Sequence, residues 1–152
     1  MGNGQNIMFL VANGFVEKDL LALQRAMISG GNTVKLVSSE KNLVNGFNNG
    51  EWGLTFPVDE QIDSTLAADY DALVVVGGEQ SVSRLVKNLH SQRIIEAFIE
   101  TSKPMVMINE AQKLVEGQIA DNIVLVNADT EEEIVDQVSV SIMPVEGIAQ
   151  AA

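Results

Sequence analysis

The sequence predicts an α/β domain in which helices cover both faces of a doubly wound, mainly parallel sheet. Five short runs are continuously apolar and rich in β-branched residues, as strands that are buried on both faces tend to be. Helical patterns separate the runs, and this alternation favours parallel pairing. The five runs are Ile7 to Ala12, Val34 to Val37, Ala72 to Val76, Met105 to Ile108 and Ile123 to Val126.

The first helix is predicted from an apolar stripe that follows the first strand. Leu20, Leu23 and Met27 lie on one side of a helix, and the stripe ends at Gly30-Gly31. Glycine readily takes the left-handed conformation that terminates a helix. The first 38 residues therefore have the order strand, helix, strand.

The segment 43–56 breaks the parallel pattern and is predicted to be a small antiparallel hairpin. Asn49-Gly50 lies between Phe47 and Trp52. Asn-Gly between apolar positions is a strong signal for a two-residue hairpin turn.

Two later helices are predicted from their end signals. A stripe from Ile94 to Ile99 begins after Ser91, a candidate N-cap, and stops before Pro104. At the C-terminal end of the chain, Thr130 and Glu133 have the spacing of a capping box. We expect residues 1–142 to form one flavodoxin-like domain and 143–152, which lose the apolar periodicity, to fray.

Composition excludes several functions. Nine basic residues against 21 acidic ones give a net charge of −12, so nucleic-acid and membrane partners are not expected. No apolar run approaches the ~20 residues of a membrane span. Residues 1–6 do not resemble a signal peptide, which makes the cytoplasm the expected location. The absence of cysteine excludes disulfides, thiolate metal sites and thiol nucleophiles.

The candidate ligand pocket lies at the carboxyl ends of the strands, where doubly wound sheets bind ligands. It consists of Gly14, Gly77, Gly78, Asn109 and Glu110. Glycines after a strand let backbone N–H groups approach an anion, although the pattern alone favours a tight strand-to-helix turn at Gly77-Gly78. Asn109 suits a strained elbow with positive φ but has no nucleophilic atom, and a simple Asn cap is the competing interpretation.

Glu110 and Glu17 are the candidate acid–base residues. With Asp19, they would form a carboxylate site across the strand ends, although favourable placement at helix starts explains all three acids without chemistry. Ser81 and Ser83 lack a G-x-S-x-G context. No metal-ligand spacing is present, so neither a metal nor a cofactor is predicted, and the single histidine, His90, is assigned a surface or capping role.

Three stretches together resemble the ThiJ/PfpI superfamily, which has the class I glutamine amidotransferase-like fold. They are Asn13-Gly14-Phe15 after the first strand, Asp69 to Gly78, and Lys103 to Asn109. The resemblance covers about residues 6 to 127. A closer likeness is to the C-terminal domain of large-subunit catalases, a branch that lacks the catalytic cysteine; Asp19 to Leu23 contributes to it.

The chain departs from the family at the residues that the resemblance makes important. Asn109 stands where the family has a reactive cysteine, Glu110 where it frequently has histidine, and Ala111 where it has glycine. The family also tends to carry a glutamate directly after the phenylalanine of the first loop, whereas Val16 is found here with Glu17 one place later.

The resemblance therefore implies a homodimer but not the family's cysteine-dependent protease, amidase, deglycase or glyoxalase-type activities. The leading hypothesis is a non-catalytic domain that binds a small polar ligand or serves as an assembly or stress-related accessory. The alternative is a hydrolase or lyase that uses Glu110 in place of a cysteine, which requires a carboxyl group with a raised pKa.

Overall fold

The computed structural model describes residues 4–142 of the protein. In this range the chain forms nine strands and four α-helices. In chain order they are β1 (Asn6–Leu10), β2 (Phe15–Val16), α1 (Glu17–Ser29), β3 (Thr33–Ser38), β4 (Leu43–Asn48), β5 (Glu51–Pro57), β6 (Glu60–Gln61), β7 (Ala72–Val75), α2 (Glu79–Val86), α3 (Leu89–Thr101), β8 (Met105–Ile108), β9 (Ile123–Val126) and α4 (Glu131–Ile142).

Six strands form one sheet in the order β6-β3-β1-β7-β8-β9, and every pairing is parallel. From β1 the chain builds outward through β3 and β6 on one side and, from β7, through β8 and β9 on the other. The topological switch point therefore lies between β1 and β7. This arrangement confirms the predicted doubly wound, flavodoxin-like α/β fold.

Both faces of the sheet are covered by apolar layers. One layer packs α1 and α4 against residues such as Phe9 and Val74. The other packs α2 and α3 against their sequence neighbours, such as Met8 and Leu73. Because successive strand residues point to opposite faces, a sheet with two covered faces needs apolar residues at every strand position. This is why the strands are continuous apolar runs.

A second sheet joins β2, β4 and β5 in that order. The β4–β5 pair is antiparallel and is connected by Asn49 and Gly50, whose φ angles of 48° and 86° are those of a tight hairpin turn. The predicted hairpin is thus confirmed. β2 pairs with β4 in parallel, so the small sheet is mixed.

Two strands end earlier than the sequence predicts. The β1 ladder stops at Leu10 rather than Ala12, and β7 stops at Val75 rather than Val76, because the chain turns into the loops above the sheet there. The predicted frayed tail, 143–152, lies outside the described residues.

The predicted cap at Ser91 is wrong because α3 begins earlier. Asn88 is the N-cap, and its Oδ1 accepts the His90 N–H at 2.8 Å. Ser91 lies inside the first turn with its hydroxyl buried and without a hydrogen-bond partner in the described structure. The helix ends at Thr101, before Pro104, as predicted.

We expect Asn88→Ala to lower the free energy of unfolding by about 1 kcal/mol, because the first turn of α3 loses its side-chain acceptor. Ser91→Ala is the matched control and is expected to be neutral or stabilising, because it removes an unpaired buried hydroxyl. Urea unfolding of both variants measures the difference. A larger loss in Ser91→Ala than in Asn88→Ala would contradict this assignment of the cap.

Candidate functional site

Two glycine loops meet at the switch point, above the carboxyl ends of β1 and β7. Gly14 and Gly78 have φ angles of 102° and 120°. A Cβ atom on Gly78 would lie 2.5 Å from the Gly14 carbonyl oxygen, and one on Gly14 would lie 2.6 Å from the Gln80 Cβ. Val16 N–H donates to the Gly77 carbonyl at 3.0 Å. The loops pack so closely that both positions require glycine.

Asn109 forms a strained elbow directly after β8. Its φ is 51°, and it begins a 3-10 helix that spans Asn109–Val115. Its Nδ2 donates to the Ala128 carbonyl at 2.9 Å, and its Oδ1 accepts the Ala128 N–H at 3.1 Å. Both ends of the amide are therefore fastened to the loop after β9. Gln112 also turns toward that loop, since its Nε2 donates to the Val126 carbonyl at 3.1 Å.

Glu110 covers the glycine turn after β7. Its Oε1 accepts the Gly78 N–H at 3.0 Å. The same oxygen occupies the space that a side chain on Gly77 would take. The backbone N–H that an external anion would need at Gly78 is thus bound to a carboxylate of the chain itself.

Asp19 is the acid of α1 that interacts with Glu110. Its side chain is buried, with 6% exposed. Burial, and then the negative charges of Glu131 and Glu110, raise the pKa of Asp19 to about 6, although the positive charge of Lys18 opposes the shift. These carboxylates come from α1, α4 and the elbow.

Glu17 points toward the hairpin instead. Its Oε1 accepts the Leu54 N–H of β5 at 2.7 Å. The side chain also lies against Gly46 and Gly53, where a Cβ atom would meet it. Glu17 therefore fastens α1 to the small sheet, and the structure does not bring it to Glu110.

Comparison of the sequence with known protein families identifies the family of this chain. A sequence profile of the DJ-1/PfpI family matches residues 5–125. The chain belongs to the DJ-1/PfpI family. Among curated protein sequences, none matches this one significantly.

Solved structures of DJ-1/PfpI proteins share the fold at low sequence identity. A ThiJ/PfpI domain protein from Brachyspira murdochii is 16% identical with a TM-score of 0.75, and the match covers 97% of each chain. Oxidised DJ-1 from Toxoplasma gondii is 14% identical with a TM-score of 0.74, again over 97% of each chain. A two-domain protein from Anabaena variabilis, with DJ-1/ThiJ/PfpI-like and ferritin-like domains, is 13% identical with a TM-score of 0.76, over 95% of this chain and 48% of that one. The likeness to catalase C-terminal domains stays a prediction.

Other candidate side chains of this DJ-1/PfpI protein have structural contacts. Ser81 Oγ is buried and accepts the Ala12 N–H at 3.0 Å. His90 Nδ1 accepts from Arg93 Nε at 3.3 Å, while Ser83 is exposed. Within residues 4–142, no three potential ligand side chains are arranged to hold a metal ion. No helix in that range has the length and apolarity needed to cross a bilayer.

A cleft of about 230 Å³ lies beside the elbow at Asn109, which we call closed because the Glu110 carboxylate occupies the Gly78 N–H. Of the predicted pocket residues, Gly14 and Gly78 line it, whereas Gly77, Asn109 and Glu110 do not. The remaining lining residues come from the start of α1, the tip of the hairpin and the start of α2: Val16, Lys18, Phe47, Asn48, Asn49, Glu79 and Gln80. Sequence reasoning missed the hairpin residues, because no local signal shows that the hairpin tip packs beside α2.

Proposed function

We propose that this protein is a non-catalytic member of the DJ-1/PfpI family that acts by binding. The observation that carries the proposal is the contact of the Glu110 carboxylate with the Gly78 N–H at 3.0 Å. An acyl or carbonyl substrate needs N–H donors at the position where negative charge develops. Here that donor is already paired with an anion, whose charge would also repel a developing oxyanion.

The elbow residue supports the same proposal. An amide nitrogen is not a nucleophile, and the Asn109 side chain is held at both ends by Ala128. The sequence contains no cysteine that another loop could supply. At the place where the family resemblance locates the reaction, the Asn109 side chain therefore supplies no nucleophile and the Gly78 N–H is already paired.

Turnover assays at high enzyme concentration test the proposal. We expect no conversion of methylglyoxal, peptide or amide substrates above background for the wild-type protein. The variants Asn109→Ala and Glu110→Ala are expected to give the same background rate. Wild-type activity that survives purification and is lost in either variant would overturn the proposal, whereas activity that persists in both indicates a contaminant.

A carboxylate-based reaction is the second candidate function, and the burial of Asp19 favours it. A carboxyl group whose pKa is raised to about 6 is suited to proton transfer near neutrality, and Asp19 interacts with Glu110. This function requires turnover that depends on both side chains. Activity lost in Glu110→Gln and in Asp19→Asn, with a pH profile that Asp19→Asn alters, would establish it in place of the first.

The proposal also includes the oligomeric state and the location of the protein. The family resemblance supports a homodimer, and the sequence supports a cytoplasmic location. Because Glu110 already pairs with the Gly78 N–H at the elbow, we expect the ligand to bind at another part of the surface.

A further inference from the structure

We infer that a groove along the start of α2 binds a small organic anion that carries an apolar group. The groove consists of the cleft beside the elbow and a second depression of about 410 Å³, and the two share Glu79 and Gln80. Ser83, Arg84 and Lys87 complete the second depression. We call the two together the α2 groove. The inference that this groove binds an anion goes beyond the proposed loss of catalysis and does not depend on that loss.

The α2 groove is separate from the closed elbow. Neither Asn109 nor Glu110 lines it. Its inner wall is the contact between the loops of Gly14 and Gly78, where the two backbones approach too closely for a Cβ atom. This part of the groove is formed by backbone packing, so it does not need a ligand to hold it open.

One wall of the groove suits an apolar group. The apolar residues Val16 and Phe47 line the cleft. The Phe47 ring is held edge-on by Trp52, with ring centroids 5.1 Å apart and an interplanar angle of 76°. A braced ring gives an apolar surface that loses little conformational freedom on binding.

The charges of the groove favour an anion. Of the nine basic residues in the chain, Lys18, Arg84 and Lys87 line it, against one acidic residue, Glu79. The chain as a whole has a net charge of −12, so this local excess of positive charge runs against the composition. Arg84 Nη1 donates to the Asn13 carbonyl at 2.9 Å, which holds the guanidinium beside the groove.

The start of α2 adds donors at the same place. The N–H groups of the first helical turn have no intrahelical acceptor, and the N-cap here is a glycine that offers no side chain to them. Glu79 and the overall negative charge disfavour polyvalent anions such as nucleotides. The preferred ligand is therefore a monoanion, such as a carboxylate with a small aromatic or branched aliphatic group.

Titration with benzoate tests this assignment in the full-length protein. Trp52 is the only tryptophan and contacts Phe47, so its fluorescence reports on ligand at the apolar wall. We expect saturable changes in that emission and saturable shifts of the Gln80 and Asn49 amide resonances. Lys18→Glu combined with Lys87→Glu is expected to raise the Kd about tenfold or more.

The controls separate a site from a general charge effect. Lys35 lies on β3 and outside the groove, and Lys35→Glu combined with Lys113→Glu changes the net charge by the same amount. We expect this pair to leave the Kd within about twofold of wild type, and we expect benzamide, the neutral isostere, to bind at least about tenfold more weakly than benzoate. Absent saturation, equal weakening by both variant pairs, or equal binding of benzamide would each overturn the inference. Turnover assays have a separate readout, so this inference and the proposed function can fail independently.

Discussion

Gly78→Ala is expected to destabilise the protein by at least about 3 kcal/mol. Gly78 has a φ of 120°, a conformation that costs a residue with a Cβ atom roughly 1–3 kcal/mol. The added Cβ would also lie 2.5 Å from the Gly14 carbonyl oxygen and 2.9 Å from the Phe15 Cα. Both neighbours are backbone atoms, so relief requires that the two loops move apart. Urea unfolding of the variant measures the loss.

Gly117→Ala is the matched control for this prediction. Gly117 also has a positive φ, 83°, but a Cβ there would meet no atom within 4 Å. Its substitution carries only the backbone cost, about 1 kcal/mol. The difference between the variants therefore measures the contact between the loops. Equal losses would contradict the close packing at the switch point.

Asp19→Asn is expected to stabilise the protein near neutral pH by about 2 kcal/mol. Burial and neighbouring carboxylates raise the pKa of Asp19 in the folded state from 3.8 to about 6. The folded state thus holds this proton more tightly than the unfolded state does. The resulting stabilisation is complete below pH 3.8, falls as the pH rises from 3.8 to about 6, and is absent above that. Asparagine removes the ionisation and with it the loss of stability.

Unfolding free energies measured at about pH 4 and at about pH 8 test the sign of the Asp19→Asn effect and the pH range in which it appears. The stabilisation by Asp19→Asn should be present at the higher pH and nearly vanish at the lower one. Asp136→Asn on the exposed side of α4 is the control for the loss of one negative charge. An Asp19→Asn variant less stable than wild type at pH 8 would show that the ionised carboxylate is required by the fold.

The same pair of acids illustrates what local sequence can predict. Glu17 and Asp19 are two residues apart in α1, and residues at this spacing lie on different sides of a helix. This spacing makes it difficult for both acids to reach Glu110, as the predicted carboxylate site would require. Which of them reaches Glu110 depends on how α1 is rotated against the sheet and the hairpin. In the structure Glu17 accepts the Leu54 N–H, whereas Asp19 is buried where the charges of Glu131 and Glu110 help to raise its pKa.

The caps of α3 show a similar limit. Asn88 and Ser91 are both good N-cap residues, and they are one helical turn apart. The apolar stripe alone begins only at Ile94 and so favoured the later cap. In the structure the Asn88 side chain accepts the His90 N–H, so the helix begins one turn before the predicted cap.

By itself, the sequence determined the α/β fold, the hairpin, the glycine turn after β7 and the absence of a cysteine at the elbow, because each depends on residues that are close in the chain. Only the tertiary structure decided what fills the space at that elbow. The contact of Glu110 with Gly78 joins residues 32 positions apart, and that of Asn109 with Ala128 joins residues 19 apart. Such contacts depend on the order of β7, β8 and β9 in the sheet, which local propensities do not encode.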